Sequence, residues 1–258
     1  VLDRLSFTRF LGLSIGDKVP DATTVWRFRE ALAEAKLTEG LFRQFDGFLR
    51  QHGFQARKGQ IVDASIIEAP RQRNTPEENK DIKKGEAIEG WSGKKRRHKD
   101  VDARWTKKGG ETFFGYKNHV NVDVKHKFIR LYRVTDAAVH DSRVFEELLD
   151  AANTRRAVWA DSAYRSEEKL TMLAERGLRG HLQRKGCRHR QLTERETRGN
   201  RTRARTRSRV EHVFGVMAQR AGTLILRTVG MVRATVKIGL RNLAYNLDRF
   251  AMLAAEGG

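Results

Sequence analysis

The segment 60–67 constrains the fold of this chain more than any other stretch. It is a mostly apolar, β-branched run with Gly59 ahead of it and Pro70 behind it, and this pattern predicts a short buried β-strand. A single carboxylate, Asp63, lies in the middle of the run. An unpaired aspartate inside a protein is costly or takes up a proton. The fold must therefore give Asp63 a backbone donor, a cation or another partner.

The remaining apolar pattern predicts a mixed α/β architecture. Three strands follow one another, with a hairpin between the second and the third, and helices then alternate with strands. This order is typical of a mixed five-stranded sheet that is flanked by helices. The strands are predicted at 60–67, 112–124, 128–134, 157–160 and 178–183, and the helices among and after them at 141–149, 166–177, 210–217 and 232–254.

Residues 1–55 predict a helical domain ahead of a larger domain that spans 56–258. Pro20 followed by Asp21 marks a helix start, and apolar residues then recur at helical spacing until His52. Helices joined by a glycine-containing turn, with arginines on one face, suit a DNA-binding unit. A helical cap on the larger domain explains the same spacing equally well, so both interpretations stay open.

The charge balance predicts a polyanionic partner. The chain has 52 Lys and Arg residues against 32 Asp and Glu residues, a formal net charge of +20. Because this positive charge is clustered, double-stranded DNA is the simplest partner. No apolar run of about 18 residues is present, so no membrane partner is expected. Cys187 is the single cysteine, which excludes a disulfide framework and a thiolate zinc cluster and fits a reducing compartment.

Two basic segments, 68–110 and 184–209, are the main predicted DNA-binding surfaces. The first lacks periodicity, and tryptophans among its basic residues suit base stacking, although a solvated loop is the alternative. The second has alternating arginines, which predict an extended arm that orders on DNA. Lys117 and His119 alternate along a strand and could both face DNA phosphate. The candidate contacts are Lys94, Lys95, Arg96, Arg97, Trp105, Lys107, Lys108, Lys117, His119, Arg201, Arg203, Arg205, Arg207 and Arg209.

Three acids are the candidate catalytic and metal-binding residues. Asp63 lies within the first strand, Asp161 directly follows the fourth, and Glu211 is on a helix predicted to face inward. If the first and fourth strands are neighbours, the two aspartates end side by side, and three clustered carboxylates require divalent cations. Hard oxygen ligands favour Mg²⁺ or Mn²⁺, with two ions expected. Each acid also has a structural alternative: a backbone turn for Asp63, a helix cap for Asp161 and pairing with Arg207 for Glu211.

Motifs in order along nearly the whole chain carry a family resemblance. They include VDASIIEAP at 62–70, DARWTKKG at 102–109, FGYKNH at 114–119, HDS at 140–142, ADSAY at 160–164 and VEHVFG at 210–215. In this combination the chain resembles DDE transposases of bacterial insertion sequences, IS-five type. The resemblance implies an RNase H-like catalytic core with Asp63, Asp161 and Glu211 as the metal-binding triad. It also implies a homodimer that acts on transposon ends and target DNA in the bacterial cytoplasm, in association with the nucleoid.

The third motif departs from the family pattern. That pattern has a Tyr and an Arg before the Glu and a Lys after it, and Arg207 matches the arginine. Ala204 and Ala218 stand at the other two positions, where the family contacts transposon ends. The resemblance implies metal-dependent cleavage at the ends and strand transfer into target DNA. The alternatives are a non-catalytic DNA-binding remnant of a transposase and a metal-dependent nuclease without strand transfer.

Overall fold

The computed structural model describes residues 8–9, 11–14, 16–86, 88–222 and 225–256. The part of the predicted N-terminal helical region that covers residues 1–7 lies outside these ranges. The first two helices of defined extent are α1 (Ala22–Glu34) and α2 (Thr38–Gln51). Asp21 caps α1 by accepting a 2.6 Å hydrogen bond from the Thr24 N–H, and α2 ends before His52. Both boundaries were predicted from the sequence.

The described part of the chain contains one mixed sheet of six strands. The strands are β1 (Gln60–Glu68), β2 (Arg104–Lys108), β3 (Glu111–Asp123), β4 (Ile129–Asp136), β5 (Ala157–Ala160) and β6 (Arg179–Leu182). Their order is β2-β3-β1-β5-β6, and β4 also pairs with β3. The pairs of β3 with β1, β2 and β4 are antiparallel, whereas β1–β5 and β5–β6 are parallel.

The sequence located five of these strands, but the predicted count of five was wrong. The sixth, β2, lies in the segment 68–110, which was expected to be an irregular basic loop. Its residues, RWTKK, contain one large apolar side chain and therefore show no alternation. Strand β2 forms because it pairs with the outer half of β3, from Glu111 to Gly115. The same segment also contains helices α3 (Pro76–Lys84) and α4 (Gly93–His98).

The later helices differ from the prediction in two places. Helices α5 (Glu167–Glu175) and α7 (Met231–Glu256) were anticipated. The predicted helix at 141–149 is instead a pair of 3₁₀ turns, Asp141–Val144 and Glu146–Leu148. A segment this short cannot sustain an isolated α-helix, so packing of its apolar side chains decides its shape.

The predicted extended arm at 184–209 was wrong over most of its length. Helix α6 (Glu194–Ala221) has 28 residues and begins at a capping box between Thr193 and Glu196. Arginine is a good helix former, so the arginine-rich sequence favours a helix once a cap starts it. The second half of α6 is anchored to the sheet by the buried side chains of Val210 and Val213.

The two faces of the sheet are covered by different helices. One face packs Ile61 and Val120 against α6, and Phe42 of α2 belongs to the same cluster. The other face packs Val62 against the 3₁₀ turns and α5. Because side chains alternate along a strand, Asp63 shares the face of Ile61 and points toward α6. The candidate site therefore lies on the face of the sheet that α6 covers.

Candidate active site

Asp161 lies next to Asp63 because their strands are parallel neighbours. The register pairs Gln60 with Val158 and Ile61 with Trp159, and continuing it by two residues brings Asp161 beside Asp63. The expectation that the first and fourth predicted strands are neighbours is therefore confirmed. The negative charge of Asp161 also helps to raise the pKa of Asp63, although burial is the larger cause.

Asp63 has a partner for each of its carboxylate oxygens. Oδ1 accepts a 2.8 Å hydrogen bond from the Ala64 N–H, and Oδ2 accepts one of 2.8 Å from Arg207 Nη1. The side chain is 14% exposed. Burial raises its pKa, while the Ala64 N–H and the Arg207 charge lower it. The structure thus shows both a backbone contact and a cation, which are two of the solutions that the sequence left open.

Glu211 does not point inward as predicted. Its side chain is 59% exposed, and its Oε1 accepts a 2.7 Å hydrogen bond from Arg207 Nη2. The inward stripe of α6 is formed by Val210, Val213 and Met217, and Glu211 lies at the edge of that stripe. The alternative prediction, that Glu211 pairs with Arg207 four residues earlier, is the arrangement observed.

Asp161 also has the structural role that was its alternative interpretation. It is the N-cap of a third 3₁₀ turn, Ser162–Tyr164, and its Oδ1 accepts a 2.8 Å hydrogen bond from the Ala163 N–H. A capping bond of this kind fixes the side-chain rotamer. The bond therefore orients the carboxylate at the end of β5, where it adjoins Asp63.

The donor chemistry of the site fits a hard divalent cation, but the three acids are not gathered around one point. Carboxylate oxygens are the ligands that Mg²⁺ and Mn²⁺ prefer. Within the described ranges, no group of three or more His, Cys, Asp or Glu side chains is already arranged to hold a metal ion. Asp63 and Asp161 are adjacent, and the Arg207 guanidinium lies between Asp63 and Glu211. Glu211 would have to leave Arg207 to complete a site.

A buried polar cluster lies on the opposite face of the sheet. Lys117 Nζ is 2.8 Å from Asp141 Oδ1 and donates a 2.7 Å hydrogen bond to the Val139 carbonyl. His119 is fully buried, and burial lowers its pKa to about 4. The predicted phosphate contacts of Lys117 and His119 are therefore wrong for this conformation, because a buried imidazole and an ammonium already paired cannot reach DNA.

Sequence reasoning did not predict the buried position of Tyr164 next to the two aspartates. Its hydroxyl is buried and has no hydrogen-bond partner in the described part of the chain. Burial, followed by the charges of Asp141, Asp63 and Asp161, raises its pKa well above the usual value. The signal was present in the string ADSAY, because a turn that starts at Asp161 must place the tyrosine three residues later close to that carboxylate.

The remaining basic candidates lie on three exposed elements. Helix α4 exposes Lys94, Lys95, Arg96 and Arg97. The β2–β3 hairpin exposes Trp105 (43%) with Lys107 and Lys108, and helix α6 exposes Arg201, Arg205 and Arg209 and half-buries Arg203.

Two details connect these basic elements to the rest of the structure. The positive charge of Lys108 helps to lower the pKa of Asp63, so the hairpin is within electrostatic reach of the acids. Arg209 Nη1 donates a 2.6 Å hydrogen bond to the Val124 carbonyl, which ties α6 to the end of β3.

Trp91 contradicts the expectation of an exposed tryptophan in the basic loop. It is 8% exposed, and its Nε1–H donates a 2.6 Å hydrogen bond to Glu78 Oε1. Lys95 lies 5.0 Å from the Trp91 ring centroid and 2.8 Å from the same Glu78 oxygen. These contacts, with Lys95 and Trp91 as the largest causes, lower the pKa of Glu78 to about 2. Trp91 therefore fastens α4 to α3.

Comparison with known families decides the class of this chain. Residues 55–247 match the family model described as "Transposase DDE domain". The chain belongs to this DDE transposase family. Residues 1–31 also match a model described as "Transposase domain (DUF772)". The family match covers the whole sheet and the three candidate acids.

A curated relative agrees with the family assignment. The protein named "Transposase for insertion sequence element IS1106", from Neisseria meningitidis serogroup B, is 31% identical over 229 residues. The aligned region covers 87% of this chain and 77% of that protein. This supports a DDE transposase of an insertion sequence. No solved structure matches the chain. Within the described ranges, no helix is both long enough and apolar enough to cross a membrane.

Proposed function

We propose that this chain cleaves DNA at the ends of an insertion sequence and joins those ends to target DNA, with Mg²⁺ or Mn²⁺ as cofactor. The observation that carries the proposal is that Asp63, within β1, lies beside Asp161, which directly follows the parallel strand β5. The Arg207 guanidinium connects Asp63 to Glu211. The strand order, with β4-β3-β1-β5-β6 as its five-stranded part, is consistent with an RNase H-like core. We propose that Asp63, Asp161 and Glu211 are the catalytic triad.

The residues of the chain have separate tasks in this proposal. Asp63 and Asp161 each use one oxygen to accept a backbone N–H, from Ala64 and Ala163. These bonds hold both carboxylates in place and leave the second oxygen of Asp161 free of a backbone bond, whereas the second oxygen of Asp63 becomes a ligand only when Arg207 leaves it. Two bound ions would supply a charged clamp that activates the attacking oxygen and steadies the leaving oxygen.

The reaction class is phosphoryl transfer without a covalent protein intermediate. Water is the first nucleophile, and the freed 3′-OH of the DNA is the second. Because neither step uses a side-chain nucleophile, positioning and charge must supply the rate enhancement.

We propose that DNA contacts three basic elements on the surface of this chain. Helix α4, the β2–β3 hairpin and α6 are exposed and positively charged, and neutralised phosphates would give strong salt dependence. Trp105 rests against Phe114, with ring centroids 5.1 Å apart, and its exposed face is open to a base. Two ends must be joined in one event, so a homodimer on double-stranded DNA in the bacterial cytoplasm is the expected assembly.

Two features support a second candidate function, a DNA-binding remnant without catalysis. Arg207 donates a hydrogen bond to Glu211, which keeps that carboxylate from binding a metal ion. In addition, Ala204 and Ala218 replace the Tyr and Lys of the family pattern. A Mg²⁺-dependent assay on a labelled terminal-repeat duplex separates the possibilities. Nicked and joined products support the transposase, nicked products alone support a nuclease, and binding without either product supports the remnant.

A further inference from the structure

The guanidinium of Arg207 bridges two of the three proposed metal ligands. Its Nη1 is 2.8 Å from Asp63 Oδ2, and its Nη2 is 2.7 Å from Glu211 Oε1. The Arg207 side chain is 22% exposed. An arginine guanidinium commonly donates two parallel N–H groups to a single carboxylate. Here it divides them between two carboxylates from different elements, so it is the cation that holds β1 and Glu211 together.

Arg207 and a divalent cation compete for the same oxygen atoms. Asp63 is largely buried, so one counter-charge offsets the cost of its desolvation. A metal ion on Asp63 and Glu211 would place a second positive charge within a few ångströms of the guanidinium, where repulsion is strong because solvent screens it little. Metal binding therefore requires Arg207 to move away, and Arg207 then requires another anion.

A positively charged cluster one helical turn away offers a place for such an anion. Arg203 precedes Arg207 by four residues and lies on the same side of α6. Arg203 Nη1 donates a 3.3 Å hydrogen bond to Asn200 Oδ1, which also accepts one of 2.9 Å from the Arg184 N–H, so the two arginines are neighbours. Burial, followed by the charges of Arg184 and Arg165, also lowers the pKa of Arg203. Arg184 is partly neutralised by Glu196, at 2.5 Å, which leaves an excess of positive charge. A phosphate bound there would be within reach of the Arg207 side chain.

We infer that Arg207 makes metal binding depend on DNA. In the DNA-free protein it occupies Asp63 and Glu211; when a DNA phosphate binds beside α6, it turns to the phosphate and releases both acids to the metal. The inference rests on the proposed function, because it takes these acids as the metal ligands. Thermodynamic linkage then requires that DNA and metal each raise the affinity for the other by the same factor. Cleavage is thereby limited to sites where DNA is fully engaged.

The test measures binding of Mn²⁺ alone, by electron paramagnetic resonance, to the full chain with and without a saturating duplex of mixed sequence. Without DNA, Arg207→Gln is expected to bind Mn²⁺ at least about 5-fold more tightly than wild type, a typical lower bound for a coupling of this kind. Added duplex should tighten Mn²⁺ binding in wild type and leave Arg207→Gln unchanged. Arg133→Gln is the matched control, because it removes the same charge from a site on β4 that is 58% exposed and lies outside the proposed DNA contacts, and it should behave as wild type.

Equal Mn²⁺ affinities of wild type and Arg207→Gln without DNA would overturn the inference, as would an equal effect of duplex on both. Asp63→Asn tests the underlying function separately: if it binds Mn²⁺ as tightly as wild type when the duplex is present, the acids are not the metal site. Circular dichroism checks that Arg207→Gln folds. Should it not, Arg207→Met keeps an aliphatic side chain of similar length without the charge, and it must bind Mn²⁺ more tightly than wild type.

Discussion

Asp161 adjoins Asp63 because β5 runs parallel to β1, in a register that pairs Ile61 with Trp159. The two carboxylates come from positions far apart in the chain, yet the sheet brings them to one edge. Each is fixed by a backbone N–H, from Ala163 and Ala64, and not by a basic side chain alone. The pair is therefore rigid, whereas the third acid, Glu211, is held only through Arg207.

Replacing Asp161 by Asn should abolish cleavage and preserve the fold. The amide oxygen can still accept the Ala163 N–H, but it supplies a weaker metal ligand and no negative charge. Cleavage should fall by more than about 100-fold, since even outer partners of metal ligands contribute 10–100-fold. Nicking of a terminal-repeat duplex in Mg²⁺ measures the rate, and gel-shift assays should show unchanged DNA binding.

Asp136→Asn is the control for the Asp161 substitution. Asp136 also ends a strand and accepts a 2.8 Å hydrogen bond, from the Ala138 N–H. It should retain cleavage. Full activity of the Asp161→Asn protein would remove Asp161 from the proposed triad.

Neutralising helix α4 should weaken DNA binding and flatten its dependence on salt. Lys94→Gln combined with Arg97→Gln removes two exposed charges without touching the contacts of Trp91. Each lost phosphate contact should reduce the slope of log K against log salt by about 0.9. Binding to duplex DNA is measured by fluorescence anisotropy over a series of salt concentrations.

Arg43→Gln provides the reference for that charge effect. Arg43 is 71% exposed on α2 and lies 3.7 Å from Glu39. Its removal should leave the salt slope unchanged. An unaltered slope in the α4 double variant would exclude α4 from the DNA interface.

The two tryptophans of the segment 68–110 should respond differently to truncation. Trp91 is 8% exposed and bonded to Glu78, so Trp91→Ala should destabilise the protein by about 3–5 kcal/mol. Trp105 is 43% exposed, so Trp105→Ala should change stability far less and weaken single-stranded DNA binding by about 1–3 kcal/mol if a base stacks on it. Urea unfolding and anisotropy measure the two effects, and a reversed pattern would contradict both assignments.

The free energy of unfolding should decrease as the pH is lowered from about 6.5 to about 4, the range in which His119 is neutral in the folded protein and protonated in the unfolded chain. An unfolded histidine takes up a proton near pH 6.5, whereas burial lowers the pKa of His119 to about 4 in the folded protein. Between these values the unfolded chain binds more protons, so acid favours unfolding, by up to about 3 kcal/mol. This stability is fully present above pH 6.5 and is lost as the pH falls toward 4.

A His119→Gln variant isolates that contribution. Its amide can still donate to Thr135 Oγ1, which lies 2.9 Å from His119 Nε2. The unfolding free energy of wild type minus that of the variant should decrease as the pH falls from 6.5 to 4, because only wild type loses the contribution of His119. A difference that is independent of pH would show that His119 does not titrate below its usual range.

Sequence patterns over a few residues predicted those strands and helix ends that are set by neighbouring residues. Short apolar, β-branched runs and period-two alternation located five strands, and Asp21 predicted the start of α1. The position of Asp161 directly after a strand was also visible, because strand ends are set by neighbouring residues. The same local reasoning failed for β2, which depends on pairing with β3, and for the arginine-rich part of α6, which depends on a cap and on its buried second half.

The sequence by itself determined the strands, the caps, the basic charge and the three acids as candidates, because each follows from residue type and spacing over a few positions. Only the tertiary structure decided what those side chains contact. It placed Arg207 against Asp63, 144 residues away, left Glu211 exposed, and buried His119 and Trp91. These outcomes depend on which distant segments pack together, and packing partners are not encoded in the local period of a strand or a helix.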